Sequence, residues 1–203
     1  MHLTCPATAA RALADFAQRQ GAAFSLIELD QGATPSQPML TVPGSGISTE
    51  VAALAAGWRA GLESAGLPVL RVKIEAAPWN TGVPQLDEHA RADLYFEHHV
   101  KVRLPAGDGR RLDALTVAVR NHGARPSRNA RRVRDDGWQE RFVTQRCPGV
   151  GRRAALDRLD ALLTAIRAAR FEVLAVHEEY VVHDDAAALD AGWFEPERAT
   201  EPA

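Results

Sequence analysis

The sequence predicts an α+β protein made of two tandem ferredoxin-like repeats, each with the order β-α-β-β-α-β, packed as one pseudo-symmetric body. The first observation behind this prediction is that residues 66–76 resemble residues 170–180. Three apolar positions match between these segments: Val69 with Val173, Leu70 with Leu174 and Val72 with Val176. The second observation is that strand-like and helix-like spacings of apolar residues alternate in the same order in both halves. We therefore expect a site between the two repeats.

The first repeat is predicted over residues 1–77. Apolar residues at helical spacing indicate two helices in it, the first ended by Gly21 and the second by Gly66. Short apolar runs on either side of these helices indicate four strands, at residues 2–4, 24–29, 39–42 and 67–76.

A linker is predicted over residues 78–93, which are polar and contain several turn-forming residues. The second repeat is predicted over residues 94–184, with one helix closed by Gly123 and another over 156–166. Its four strands are predicted at residues 95–104, 126–133, 138–146 and 171–183. Residues 185–203 form an acidic tail, whose Trp193-Phe194 pair is expected to dock on the body.

Composition indicates an ordinary globular protein, with 46% hydrophobic and 25% charged residues. No apolar run approaches the ~20 residues that span a bilayer, and the first residues lack the pattern of a signal peptide. We therefore expect a cytoplasmic protein with no membrane partner. Cys5 and Cys147 are too few for a disulfide framework and are expected to be reduced.

Arginine supplies 22 of the 24 basic residues, which is typical of a GC-rich bacterial genome and makes the number of arginines weak evidence for phosphate binding. The distribution of charge is more informative, because residues 97–153 hold 14 basic and 6 acidic residues in a chain of net charge −2. Such asymmetry can mark an anionic partner, two halves of the chain that attract each other, or an acidic tail that folds back.

The strongest candidate site comes from the alternation of side chains along two predicted strands. Alternate residues of a strand share one face, and the first and fourth strands of a ferredoxin-like sheet are neighbours. We therefore expect polar side chains of the second repeat to cluster on the sheet face away from the helices: His99, Lys101, Arg103, Thr144, Arg146, His177 and Glu179. The first repeat offers Thr4, Thr41, Arg71, Lys73 and Glu75 at matching positions.

Three interpretations of this cluster remain open. The side chains can form a solvated or inter-repeat layer of ion pairs. They can bind a small phosphate- or carboxylate-bearing ligand between the repeats, as a binding or regulatory module, through Lys73, Lys101, Arg103, Thr144 and Arg146. They can also serve an enzyme that acts on a phosphorylated or nucleotide substrate, with His99, His177 and Glu179 as acid, base or metal ligands. No motif identifies a cofactor.

A basic hairpin over residues 125–134 supports a further alternative, an interaction module for nucleic acid or an acidic protein. The segment lacks the interleaved aromatic residues of single-strand binders, so a solvated hairpin is the simpler interpretation.

Two short motifs resemble those of known enzyme families. His2-Leu3-Thr4 resembles half of the paired His-x-Thr signature of phosphoesterases, but the sequence contains no second copy. The strand from Glu97 to Lys101 resembles the Glu-x-Glu-x-Lys strand of the triphosphate-tunnel enzymes, with His99 in place of the second Glu. That resemblance covers five residues, and the chain is short for that fold. We base no prediction on either motif.

Overall fold

The computed structural model describes residues 1–130 and 136–194, and within them the chain forms eight strands and four α-helices. The strands are β1 (His2–Thr4), β2 (Ala23–Leu29), β3 (Ser36–Thr41), β4 (Arg71–Ala76), β5 (Tyr95–Pro105), β6 (Ala124–Asn129), β7 (Trp138–Pro148) and β8 (Glu172–Asp184). The helices are α1 (Ala10–Gln20), α2 (Ser48–Ser64), α3 (Gly109–Arg120) and α4 (Arg152–Ala168). Short 3₁₀ turns lie at Ala7–Ala9, Asp87–His89 and Ala187–Asp190.

All eight strands belong to one closed antiparallel barrel, in the order β1-β3-β2-β6-β7-β5-β8-β4, with β4 pairing back to β1. The prediction of two tandem ferredoxin-like repeats is therefore wrong. Strands from residues 1–77 and from residues 94–184 join edge to edge, because β2 pairs with β6 and β4 pairs with β8. These two pairings leave no separate sheet in either half, and apolar periodicity carries no information about which strand edges meet.

The hydrophobic core lies outside the barrel, between the outer faces of the strands and the helices. One cluster packs α1 and α2 against β1, β3 and β4, and centres on Leu3, Leu13 and Leu40. A second packs α3 and α4 against β5, β6 and β7, and includes Val100 and Leu162. Because alternate strand residues point to opposite faces, this arrangement leaves the intervening, mostly polar side chains for the barrel interior.

The segment between β4 and β5 packs closely against the start of α4. The backbone N–H of Gly151 donates a 2.7 Å hydrogen bond to Asp87 Oδ1, which satisfies one of the free donors at the helix N-terminus. A Cβ at Gly151 would lie 2.3 Å from the carbonyl carbon of Leu86, so this approach requires a glycine.

Residues 185–194 follow β8 and pack against the connection between β2 and β3. Gln31 Nε2 donates to the carbonyl oxygen of Gly192 at 2.6 Å, and the indole N–H of Trp193 donates to Asp30 Oδ1 at 2.9 Å. This segment therefore covers one end of the barrel. The rest of the predicted acidic tail, residues 195–203, lies outside the described residues, as do residues 131–134 of the predicted basic hairpin.

Among the residues described, no helix combines the length and the apolar character needed to cross a membrane. Cys5 and Cys147 are both buried free thiols.

Candidate functional site

A cavity of about 250 Å³ lies inside the barrel and has two chemically different sides. Its apolar lining comes mainly from Ile27, Leu29, Met39, Phe142 and Trp193. Its polar lining includes ionisable side chains on β1, β4, β5, β7 and β8 and in the segment after β8: His2, Arg71, Lys73, Glu97, His99, Arg146, His177, Glu179 and Asp190. A concave site with an apolar wall and converging polar groups is the usual form of a small-molecule site.

His99 is held between a hydroxyl group and two carboxylates. Its Nδ1 lies 3.1 Å from Thr144 Oγ1, on the neighbouring strand β7, where the two residues are directly opposite in register. Its Nε2 lies 3.4 Å from Glu179 Oε2 and 3.6 Å from Glu97 Oε2. Burial alone would lower the pKa of His99, but the contact with Glu179 and the charge of Glu97 outweigh it and raise the pKa above its ordinary value. The two carboxylates therefore favour the charged form of the imidazole.

His2 has the same set of contacts on another part of the barrel wall. Its Nδ1 lies 2.9 Å from Thr41 Oγ1, and Thr41 is directly opposite in register on β3. Its Nε2 lies 2.8 Å from Glu75 Oε2. Two of the three histidines that line the cavity, His2 and His99, thus have a threonine hydroxyl at Nδ1 and a glutamate at Nε2.

Lys73 connects these two arrangements through ion pairs. Its Nζ lies 2.7 Å from Glu75 Oε1 and also donates to Glu97 Oε2. Glu97 Oε1 accepts a 2.8 Å hydrogen bond from Arg146 Nε. Burial would raise the pKa of Glu97, but the charges of Lys73, Arg146 and His99 outweigh that effect and hold the pKa well below its ordinary value. Glu97 is therefore an ionised carboxylate although its side chain is only 1% exposed.

A second group of ion pairs is centred on Arg71. Arg71 donates to Asp184 Oδ2 at 2.6 Å and to Asp190 Oδ2 at 2.8 Å. Asp190 also accepts from Arg146 at 2.6 Å, and Tyr95 donates its hydroxyl to Asp184 at 2.7 Å. Asp190 belongs to the segment after β8, so these bonds fix that segment to the barrel interior.

The charges of this network do not leave a free anion site. Three cations, Arg71, Lys73 and Arg146, face five carboxylates: Glu75, Glu97, Glu179, Asp184 and Asp190. With neutral histidines the named side chains therefore carry a net charge of −2. A phosphate or carboxylate ligand would have to replace one of these carboxylates, at the cost of leaving it buried without its partner.

The structure brings together six of the eight side chains predicted for the site. Those that line the cavity are Lys73, His99, Thr144, Arg146, His177 and Glu179. Lys101 and Arg103 lie farther along β5 and do not line it. Lys101 Nζ is 3.0 Å from Glu140, and Arg103 is 2.6 Å from Glu172.

The residues most able to hold a metal ion differ from those predicted. Among the residues described, the potential ligand atoms of Glu75, Glu97 and His99 lie within 4.8 Å of one another, whereas the predicted set is His99, His177 and Glu179. The Lys73 ammonium group contacts both of these glutamates. A metal ion at this position would therefore have to displace an existing cation.

Sequence reasoning misses His2, Glu97 and Asp190. In the sequence His2 belongs only to a motif that supports no prediction, and Glu97 lies on the correct strand face without an assigned role. Asp190 lies in the acidic tail, which is expected to dock through Trp193-Phe194, but no pattern singles out Asp190 itself.

The fold and the site together define a closed barrel with a polar interior and an internal cavity. The chain matches no protein-family model, and no curated protein is detectably similar to it in sequence.

Proposed function

We propose that this protein is an enzyme that catalyses proton transfer on a small, partly apolar molecule bound inside the barrel, with His99 as the general base. The observation that carries this proposal is the position of His99, whose Nε2 lies among groups that line the cavity. Thr144 at Nδ1 fixes the ring, and a base oriented by a second group is a recurrent feature of acid–base catalysis.

The contacts of Nε2 with its two carboxylates are long. The distances of 3.4 and 3.6 Å to Glu179 and Glu97 exceed the usual length of an N–H···O hydrogen bond. Both carboxylates stabilise the imidazolium that forms when Nε2 accepts a proton. The same contacts raise the pKa of His99, which makes it a stronger base than a histidine without carboxylate neighbours.

The apolar wall supports a substrate with a hydrocarbon part. Met39, Phe142 and Trp193 can cover that part, while the polar wall binds the reacting groups. This proposal develops the enzyme hypothesis drawn from the sequence. Binding of a small anion stays a prediction, and the geometry supports it less, because Lys73 and Arg146 already have carboxylate partners.

The β,γ-unsaturated isomer of cyclohexenone is a suitable probe, because it has acidic C–H bonds beside an uncharged carbonyl group. We expect the wild-type protein in D₂O to exchange the hydrogens next to the carbonyl for deuterium, as followed by proton NMR. His99→Asn should lower the rate by about 100-fold, the lower end of the usual effect of a general base.

Two controls make this experiment decisive. His89→Asn removes an exposed histidine and should leave the rate unchanged. Met39→Trp fills the cavity and should suppress exchange, whereas Val117→Trp adds the same side chain at an exposed helix position and should not. The proposal fails if wild-type exchange does not exceed that caused by buffer, or if the His99→Asn variant exchanges as fast as the wild type.

A further inference from the structure

We propose that the cavity binds a small organic ammonium ion, and that Glu179 is the residue that recognises its positive charge. The proposal names a ligand class for the cavity of the proposed function. It rests on that function in one respect, because a general base at His99 is an uncharged imidazole before it accepts a proton. The ligand class is opposite in charge to the anionic ligand predicted from the sequence.

Glu179 differs from the other acidic side chains of the cavity in its partners. The carboxylates of the described residues that line the cavity are Glu97, Glu179 and Asp190. Glu97 and Asp190 each contact two lysine or arginine side chains. Within the described part of the chain, Glu179 has one ion-pair contact, with His99 at 3.4 Å. When that imidazole is neutral, Glu179 has no lysine or arginine to balance its charge.

The cations of the interior are not available to Glu179, because they already have other partners. Lys73 and Arg71 each contact a carboxylate that lies behind the cavity wall, Glu75 and Asp184 respectively, in addition to one that lines the cavity. If either cation turned towards Glu179, it would leave a buried carboxylate without its partner, which is costly. A charge that compensates Glu179 has to come from a ligand.

The α-amino group of Met1 is a further cation in this region, and its charge interacts with those of Glu75 and Glu179. It donates a 2.9 Å hydrogen bond to the carbonyl oxygen of Val42, and burial lowers its pKa. Even as a full positive charge it changes the net charge of the network from −2 only to −1. The interior therefore remains negative.

The register of the barrel places Glu179 directly opposite another glutamate. Glu179 on β8 pairs with Glu97 on β5. Like charges at directly opposed positions destabilise a sheet. Lys73 and Arg146 offset the charge of Glu97, whereas the described residues provide no such cation at Glu179. A cationic ligand beside Glu179 removes a repulsion that the protein alone leaves in place.

Glu179 is also accessible to a ligand. Its side chain is 33% exposed, whereas that of Glu97 is 1% exposed. His177 lies in the same wall, directly opposite His99 in register. Within the described residues, the His177 side chain has no hydrogen-bond or ion-pair partner. Its neutral imidazole offers a second acceptor for an N–H group that approaches Glu179.

The apolar wall indicates an organic rather than an inorganic cation. The cavity volume of about 250 Å³ is lined on that side by apolar side chains such as Ile27, Met39 and Trp193. A hydrocarbon group can pack against these side chains, while an attached ammonium group donates its N–H bonds to the polar wall. A small amine with a hydrocarbon part therefore matches both sides of the cavity.

The cyclohexylammonium ion is the probe for this proposal, and cyclohexanol and cyclohexanecarboxylate are its neutral and negative analogues with the same ring. We expect cyclohexylammonium to raise the Tm of the wild-type protein at pH 8, because a ligand that binds the folded state stabilises it. The two analogues at the same concentration should not. Equal stabilisation by all three compounds, or stronger stabilisation by the carboxylate, would show that the cavity does not select a positive charge.

Glu179→Gln keeps the size of the side chain and removes its charge. Calorimetry should show at least about 10-fold weaker binding of cyclohexylammonium, as expected for the loss of a hydrogen bond to a charged group. Glu178→Gln is the matched control on the same strand, because Glu178 contacts Arg152 and does not line the cavity. It should bind the probe as the wild type does.

The folded state of Glu179→Gln is tested without the probe. Because the change removes a like charge opposite Glu97, the variant should unfold at no lower temperature than the wild type. Weaker binding by a variant that is fully stable is then a property of the site. A marked loss of stability would instead show that Glu179 has a structural partner, which contradicts the proposal.

Met39→Trp shows whether the probe binds inside the barrel. It fills the cavity and should abolish binding, whereas Val117→Trp at an exposed helix position should not. If Met39→Trp or Glu179→Gln binds cyclohexylammonium as tightly as the wild type, the ammonium site is wrong.

The outcomes also separate this proposal from the proposed function. If the wild-type protein exchanges the ketone probe in D₂O but does not bind cyclohexylammonium, the ligand class is wrong and the role of His99 stands. If it binds cyclohexylammonium through Glu179 but does not exchange the ketone, the catalytic role of His99 fails and the ligand class stands.

Discussion

Glu97 is a buried, ionised carboxylate that is bonded to two cations, Lys73 and Arg146, so the stability of the barrel interior should depend on its charge. Replacement by Gln keeps its size but leaves Lys73 and Arg146 with less opposing charge. We expect Glu97→Gln to lower the free energy of unfolding by about 3 kcal/mol, the size typical of breaking a buried ion pair. Urea unfolding at pH 7 measures this. Glu88→Gln, at an exposed glutamate, is the control, and equal effects of the two changes would contradict the assignment.

The raised pKa of His99 predicts how its contribution to stability depends on pH. A group whose pKa is higher in the folded state binds its proton more tightly when folded, so it stabilises the fold at low pH. That stabilisation is complete below the ordinary pKa of about 6.5 and disappears as the pH rises through the raised value. We therefore expect the difference in unfolding free energy between the wild type and His99→Asn to be larger at pH 5 than at pH 8.

Urea unfolding at both pH values measures this difference, with His89→Asn as the matched control at an exposed position. A difference that grows from pH 5 to pH 8 would mean that the carboxylates around His99 do not favour its charged form.

At the scale of single elements, replacement by alanine should have opposite effects on stability at two glycines, one just before a helix and one inside a helix. Gly151 precedes α4, where a Cβ would collide with the backbone of Leu86, whereas Gly57 lies inside α2, where an added Cβ would meet no atom of another element within 4 Å. We expect Gly151→Ala to destabilise the protein by about 2 kcal/mol through overpacking. Gly57→Ala should stabilise it by about 0.5–1 kcal/mol, because alanine loses less backbone entropy in a helix. Thermal unfolding of both variants checks the two signs, and a stabilising Gly151→Ala would show that the linker does not pack there.

The positions of individual elements are largely accessible from sequence. β5 runs from Tyr95 to Pro105 where a strand is predicted over residues 95–104, and α4 contains the predicted apolar face over 156–166. Periodicity locates these elements because each has one face on the outer core. Of the strand predicted over 126–133, the structure shows β6 as Ala124–Asn129 with Ala130 in a turn, and residues 131–135 lie outside the described part of the chain.

Part of the candidate site follows from the same periodicity, and part does not. His99 and Glu179 are predicted together because they alternate with apolar residues on adjacent strands. A His-x-Thr motif along one strand does not reveal the contacts of His2, because the threonine that meets the ring lies across the sheet, at Thr41 for His2 and at Thr144 for His99. A contact between strands has no fixed spacing in sequence, so the pattern becomes visible only once the register is known.

At the scale of the whole molecule, the main error of the sequence-based prediction is the assembly of the strands. The pairings of β2 with β6 and of β4 with β8 close the barrel, and both join edges that are far apart in sequence. Once closed, the barrel turns the predicted open sheet face into an interior wall.

The segment that covers one end of the barrel gives a prediction at this scale. Asp190→Asn weakens its ion pairs with Arg71 and Arg146, although each arginine keeps another carboxylate partner. We expect hydrogen exchange in residues 185–194 to become faster, with little change in α4. Mass spectrometry of exchanged peptides measures both regions. Unchanged exchange in residues 185–194 would show that these ion pairs do not hold the segment in place.

The alternation of faces along β5 has a consequence for how the protein can change over time. Phe96, Val100 and Val102 face the helices, while Glu97 and His99 face the cavity. Substitutions at cavity positions can therefore alter the chemistry and leave the packing under the helices intact. The insertion of a single residue within β5 would instead exchange the two sets, placing charges in the core and valines in the cavity. This strand should tolerate substitutions at its cavity-facing positions far better than an insertion or a deletion.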